Sequence, residues 1–378
     1  MTAASPSATL ALVLNAGSAT LKFALYDLSG HGDPRCVERG SFDSDAREAH
    51  ADARCWEQLR VRLQADGWLP RIGQVGHRIV HGGPDHDAPA PLSDALLQEL
   101  DALSALAPLH QPPALEIVRL CRQALPRAAQ VLCFDTAFHR SQDRLARLYG
   151  LPLIWYEQGV QRYGFHGLSC EYIAGRLQAL SPAQAAGRVI VAHLGSGASL
   201  SALRAGRSIA STMGLTPLDG VPMGTRCGSL DPGVVLYLQQ RGLSVEQVSE
   251  LLYRHSGLLG LSGISSDVRV LEGASAPAAA LALDYFVYRV SRELGSLVAA
   301  LGGLDALVFT GGIGAHSAGL RARIAAAAQW TGLQLDAAAN ASGAERIDAP
   351  DSRVAAWALL TDEELVIARA LQRRSQSV

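Results

Sequence analysis

Lysine is all but missing from this chain. Lys22 is the one lysine among 33 basic residues, and asparagine occurs only at positions 15 and 340. A Walker A loop needs Gly-Lys-Ser or Gly-Lys-Thr. Lys22 follows Leu21, so that loop is excluded, and so is the Val-Ala-Ile-Lys strand of protein kinases. Cysteine is sparse and scattered, at 36, 55, 121, 133, 170 and 227. With no Cys-x-x-Cys pair a zinc ribbon is excluded, and the pattern fits reduced, packing thiols of a cytoplasmic protein. Blocks of like charge are absent too. A net charge of −2 with both signs dispersed argues against a nucleic-acid partner or a membrane surface. The N-terminal Ala-Ser-Pro-Ser lacks the positive region of a secretory signal. The most apolar long stretch, 297–315, carries Asp305 and five glycines, so it should not span a bilayer.

What is present is patterned. At about 150 residues per domain, 378 residues read as two domains. The lone lysine lies in Leu14-Asn15-Ala16-Gly17-Ser18-Ala19-Thr20-Leu21-Lys22-Phe23, a Gly/Ser turn between apolar strands. Such a turn aims backbone N–H groups at an anion, and Lys adds a compact positive charge, so a phosphate site is expected. A second strand–turn–strand unit, 189–203, turns on Gly195-Ser196-Gly197. The two units read as a weak internal duplication, with two unrelated hairpins as the alternative. Periodicity and caps predict helices over 53–64, 93–106, 113–123, 169–179, 232–240, 245–254, 277–301 and 365–373. Strands are expected over 72–80, 131–134, 306–310 and 355–360. The Ala-rich 336–342 reads as a surface connection. Strands alternating with helices define an α/β class.

Several segments carry chemistry, each with an ordinary explanation beside it. Gly76-His77-Arg78-Ile79-Val80-His81-Gly82-Gly83 reads as a strand entering a loop, which weakens zinc binding by two His four apart. Arg78 at a strand end can fork an oxyanion or form a structural ion pair. Pro108-Leu109-His110-Gln111 opens a helix, where His110 either faces an anion or packs. Asp135 ends a buried strand, where open α/β sheets meet ligands. His166 precedes a helix and equally fits a core histidine. Arg226, in Met223-Gly224-Thr225-Arg226, sits in a loop of small residues and favours ligand contact. Gly311-Gly312-Ile313-Gly314 leaves a buried strand toward a helix, a place for nucleotide phosphate. Glu363 either serves a Mg²⁺ ion or only caps the last helix.

Taken together, these segments resemble the acetokinase family of short-chain carboxylate kinases. The resemblance runs from about Leu12 to Arg369, in ten segments and in family order: 15–23, 76–83, 108–112, 134–139, 163–169, 193–199, 212–231, 256–269, 305–314 and 361–369. It implies the two-domain duplicated fold of the sugar kinase/actin/Hsp70 superfamily, with an interdomain active-site cleft. The domains would be 8–140 plus 365–378, and 141–364. It implies reversible, Mg²⁺- or Mn²⁺-dependent transfer of the ATP γ-phosphoryl group to acetate, giving acetyl phosphate and ADP. Propionate or another short carboxylate, or nucleotide binding without turnover, is the alternative. By position, Arg78, Asp135, His166 and Arg226 would be catalytic. Arg78, Val80, Leu109, His110, Phe165 and Pro217 would meet the carboxylate, and Asn15 and Glu363 the metal. Ser18, Thr20, Lys22, His193, Gly195, Ser196, Gly197, Asp267, Val268, Arg269, Gly312, Ile313, Gly314 and His316 would hold the nucleotide. A homodimer is also implied. The chain departs from the family pattern at Ser196, Ala315, His316, Leu168, Cys170 and Thr20, changes that bear mainly on nucleotide choice.

Overall fold

The protein is described by a computed structural model covering residues 10–17, 20–30, 32–43 and 51–376. The chain divides into two compact units, Met1–Phe138 with Asp362–Val378, and His139–Thr361. The return to the first unit at Asp362 puts Glu363 and Glu364 there.

In the first unit, β1 (Leu10–Ala16), β2 (Thr20–Asp27) and β3 (Arg35–Asp43) form an antiparallel meander. β4 (Ile72–Ile79) lies parallel to the other side of β1, followed by β6 (Ala129–Phe134), with the short β5 (Ala90–Pro91) at the edge. β1 is buried along its whole length, as expected for a central strand covered on both faces. Leu12, Leu14, Phe23 and Leu25 pack with Leu59, Leu115 and Val118 from the helices Ala51–Ala65 and Gln111–Ala124. The helix Glu363–Gln376 packs on β1 and β4, setting Ile367 and Leu371 against Gly76.

The second unit repeats the plan. β7 (Arg188–Leu194), β8 (Ala198–Arg204) and β9 (Arg207–Ser211) form a meander, and β10 (Ala306–Thr310) and β11 (Ala355–Ala358) lie parallel beyond β7. The orders β3-β2-β1-β4-β6 and β9-β8-β7-β10-β11 are the same walk through a sheet. The two hairpins are therefore equivalent elements of a duplicated fold, and the alternative of unrelated hairpins falls.

Three local expectations change. The helix expected over 93–106 stops at Ala102, with Leu103 as its C-cap and a single 3₁₀ turn, Ser104–Leu106, after it. The stretch 336–342 is no connection. It contains the helix Ala337–Ser342, whose N-cap Asp336 accepts from Ala339 N–H and whose end is Gly343 in the left-handed region. Gly311-Gly312-Ile313-Gly314 is the body of the helix Gly311–His316 and not a turn before one. Among the described residues no helix is long and apolar enough to cross a membrane.

Candidate active site

In the first unit the chemistry gathers at the C-terminal ends of β1, β4 and β6. Asp135 directly follows β6 and is fully buried. Its carboxylate accepts from Arg78 Nε at 3.1 Å and from Nη2 at 2.6 Å, a bidentate fork that fixes the guanidinium plane. Arg78 Nη1 donates to Asn15 Oδ1 at 3.0 Å. Asn15 Nδ2 in turn donates to Glu363 Oε2 at 3.1 Å and Glu364 Oε1 at 2.8 Å. Burial alone would lower the Arg78 pKa, but the charges of Asp135, Glu363 and Glu364 outweigh it and raise it. The guanidinium is thus a permanent, immobile cation with 12% of its side chain exposed.

Lys22 lies directly opposite Asn15 across the β1–β2 pair and is exposed, so both side chains emerge on one face of the sheet. Gly17 N–H donates to the Thr20 carbonyl at 2.8 Å and closes that hairpin. Ser18, at its tip, lies outside the described residues. Next to Arg78, the loop after Val80 is clamped by a residue the motif reading passed over. Gln111 Oε1 accepts from His81 N–H at 3.1 Å, and its Nε2 donates to the His81 carbonyl at 3.0 Å. Gly82 N–H donates to Thr136 Oγ1 at 3.0 Å. Gln111 therefore ties buried Val80 to the helix start that carries Leu109 and His110.

In the second unit the hairpin tip Gly195-Ser196-Gly197 is closed by Gly195 N–H donating to the Gly197 carbonyl at 3.0 Å. A methyl group added at Gly197 would lie 3.2 Å from His166 Nε2 and 3.8 Å from Arg226 Nη1, and one at Gly195 would lie 3.8 Å from the Gly312 nitrogen. Those distances bring His166, Arg226 and the two glycine segments to one place. His166 adopts a left-handed backbone at the N-terminus of the helix Gly167–Leu180. Its Nδ1 lies 2.9 Å from Ser199 Oγ. Its ring stacks on His193 at 4.3 Å between centroids, and His193 Nδ1 lies 2.8 Å from Ser169 Oγ. Behind Phe165, His139 Nε2 lies 2.9 Å from the Phe165 carbonyl and Nδ1 lies 2.8 Å from Ser208 Oγ. A carbonyl can only accept, so Nε2 carries the proton. Burial pushes this imidazole down to about 4.

Arg226 Nη1 donates to the Pro217 carbonyl at 3.0 Å. Its loop is pinned on two sides, by Gly224 N–H to the Ser196 carbonyl at 3.2 Å and by Leu258 N–H to the Met223 carbonyl at 2.9 Å. The first of these bonds joins the Arg226 loop to the glycine hairpin.

The acetokinase family model matches residues 44–369. The chain belongs to the acetokinase family. It is 49% identical to an acetate kinase of Rhodopseudomonas palustris, over 96% of this chain and 97% of that one. It is 48% identical to an acetate kinase of Nitrobacter hamburgensis, over 97% and 98%. Among solved structures it is similar to a propionate kinase from Francisella tularensis, with a TM-score of 0.85 and 33% identity over 96% of this chain and 98% of that one. It is also similar to the Porphyromonas gingivalis acetate kinase, with a TM-score of 0.81 and 33% identity over the same shares. The fold is accordingly that of the acetate and propionate kinases, with the strand order of the first unit repeated in the second.

Not every expected residue presents a side chain. Val268 is buried at 3% exposure. Asp267 caps its short helix and pairs with the exposed Arg269 at 2.6 Å. Ser196 and His316 are exposed, and Ile313 is half-buried. Motif reading passed over Gln111, Ser199, Ser169 and Glu364. All four lie inside or beside quoted segments, but their partners are distant in sequence, so spacing carried no signal for them. Among the described residues no three His, Cys, Asp or Glu converge as a ready metal cage. The hard oxygens gathered here are the carboxylates of Glu363 and Glu364, which accept from Asn15 Nδ2, while Asn15 Oδ1 accepts from Arg78. That set fits Mg²⁺, which takes few protein ligands and completes its shell with water and phosphate.

Proposed function

We propose that this acetokinase transfers the γ-phosphoryl group of ATP to acetate, reversibly, giving acetyl phosphate and ADP. The observation that carries the reading is the hydrogen-bonded network Asp135–Arg78–Asn15–Glu363, in a chain 49% identical to a curated acetate kinase. A carboxylate oxygen attacks Pγ, the bond from Pγ to the β–γ bridging oxygen breaks, and that electron pair leaves with ADP. The acceptor is already ionised at neutral pH, so no general base is required. This agrees with Asp135 being committed to Arg78. What remains is positioning and neutralisation of a spread negative charge. Arg78 and Arg226 are assigned to the carboxylate and the transferring phosphoryl group. Ser199, as donor to His166 Nδ1, would leave Nε2–H to stabilise an equatorial oxygen. Lys22, Thr20 and the glycine segments at 195–197 and 312–314 are assigned to the nucleotide phosphates and adenosine. Val80, Leu109, Phe165 and Pro217 are assigned to the acyl group.

Mg²⁺ is the metal we assign, held through Asn15, Glu363 and Glu364; when bound it would neutralise the β- and γ-phosphate oxygens. We further propose a cytoplasmic homodimer. Propionate is the second acceptor to test, because a propionate kinase is among the similar structures. Hydroxylamine trapping of acyl phosphate with Mg-ATP and acetate, propionate or butyrate tests the reading. Turnover with acetate at the highest kcat/KM is expected. ATP binding with no acyl phosphate from any of the three acids would overturn it.

A further inference from the structure

Arg321 heads the almost wholly buried side chains by size, at 2% exposure. A buried guanidinium normally faces a carboxylate, because an unpaired buried ion is costly. Here burial lowers the pKa of the group. Its donors go to uncharged acceptors instead. Nη1 donates to the carbonyls of Gly314 at 2.9 Å and Ala315 at 2.8 Å. Nε donates to Asn340 Oδ1 at 2.7 Å, and Nη2 to the Asn340 carbonyl at 2.9 Å. Asn340 Nδ2 then donates to the Ala318 carbonyl at 3.0 Å.

The two carbonyls it takes belong to the last turn of the helix Gly311–His316. Such carbonyls have no partner within their own helix and form the negative end of its dipole, so a cation fits them. The helix begins Gly-Gly-Ile-Gly, which is poor at holding a shape unaided. At its start Gly311 has a φ of +76°, and an added methyl would lie 2.6 Å from the Leu194 carbonyl oxygen. One end is therefore fixed by backbone packing against β7, and the other by Arg321. Asn340 aims the guanidinium and links the helices Ala318–Ala327 and Ala337–Ser342 to it.

We propose that Arg321 and Asn340 are positioning residues for the nucleotide: they hold Gly312–Gly314 in its binding shape from behind, without touching the ligand. This rests on the assignment of Gly312–Gly314 to the nucleotide. Preorganisation of this kind sets affinity, so the effect should fall on the nucleotide alone.

The test uses the full-length protein, with ADP as the calorimetric probe, KM for ATP and for acetate measured separately, and hydrogen exchange over 311–317. Asn340→Ala and Arg321→Lys should weaken ADP binding and raise the ATP KM by about tenfold. The acetate KM and kcat should stay within about threefold, and amides 311–317 should exchange faster. Asn340→Asp keeps the acceptor for Arg321 and should restore ADP binding. If Asn340→Ala fails to fold, Arg321→Lys against Asn340→Asp carries the same comparison. Unchanged ADP affinity in folded Arg321→Lys overturns the proposal. So does a fall in kcat with both KM values unchanged, which would mark mere loss of folded protein. Gly312→Val separates the two layers, because its side chain would enter open space. If it leaves ADP binding untouched, the nucleotide assignment itself fails. If it alone weakens binding, only the positioning role fails.

Discussion

At the residue scale the asymmetry between the two assigned arginines is informative. Arg78 is held by a carboxylate that is itself fully buried. Removing the cation leaves Asp135 as an uncompensated buried charge, a lesion that costs about 3–5 kcal/mol. Arg78→Ala should therefore lose both turnover and stability. Loss of a preorganised Arg at a phosphoryl centre is worth about 10³–10⁵ in rate, and a marked drop in the unfolding midpoint should accompany it. Sequence alone gives no sign of the stability cost, because the Arg78–Asp135 fork joins positions 57 apart and no spacing rule links them. Arg226→Ala should show a comparable rate loss, measured by the hydroxylamine assay. Near-normal turnover in either folded variant would end its assignment. Ser199 acts at one remove. Ser199→Ala takes away the partner of His166 Nδ1, one net hydrogen bond of about 1 kcal/mol, or about fivefold in kcat. The ATP KM should change little, and an equal fall in affinity would place Ser199 in nucleotide binding instead.

At the element scale the site depends on loops held by other elements. Gly257 shows this for the Arg226 loop. Its φ of +61° is left-handed, and an added methyl would lie 2.1 Å from the Met223 carbonyl oxygen and 2.7 Å from that of Arg226. Gly257→Ala should displace Arg226 without touching a ligand group. We expect the far-ultraviolet circular dichroism to be retained and kcat to fall by more than about tenfold; an unaltered kcat would show that the loop absorbs the change. Here sequence reading reached its limit in a definite way. Periodicity found the helices 232–240, 245–254 and 277–301 to the residue, because long amphipathic or capped runs announce themselves. It missed the helix Ala337–Ser342, where an Ala run with no apolar stripe looked like a connection. Ala is the best helix former, and the Asp336 cap and Gly343 stop were both legible. What could not be read was that this short helix is tied by bonds from Arg321 to Asn340, 19 positions away. The same holds for the site: the resemblance names Asn15, Arg78, Asp135 and Glu363, which the structure joins in one hydrogen-bonded network, whereas Gln111, Ser199 and Arg321 act through tertiary contacts.

At the scale of the whole molecule, each unit holds a buried histidine whose pKa burial lowers. His77 on β4 is buried at 1% exposure with Nε2 2.8 Å from Gln130 Oε1. His139 is equally buried in the second unit, between Ser208 and the Phe165 carbonyl. Burial lowers each pKa from 6.5 to about 4, and the hydrogen bonds to Gln130 and the Phe165 carbonyl offset that only in part. Both folded values lie below the unfolded one, so between pH 6.5 and 4 the unfolded chain binds more protons than the native one. Stability is then fully present above about pH 6.5 and falls as the pH drops toward 4. The slope is at most about 1.4 kcal/mol per pH unit for each imidazole. Below 4 these two groups add no further slope. The measurement is denaturant unfolding across that range. His77→Gln, which keeps an amide able to meet Gln130 but cannot be protonated, should flatten the curve by up to the share of one imidazole, whatever it costs at neutral pH. If the slope between pH 6.5 and 4 is the same in wild type and His77→Gln, the buried imidazole of the first unit does not drive acid unfolding. In the second unit the same protonation would reverse the His139 contact to Ser208, whose hydroxyl would have to turn from donor to acceptor, next to the Phe165 carbonyl that His139 also meets. Acid should therefore impair turnover by shifting the His166 segment before global unfolding is complete, with the loss of kcat running ahead of the loss of helix signal.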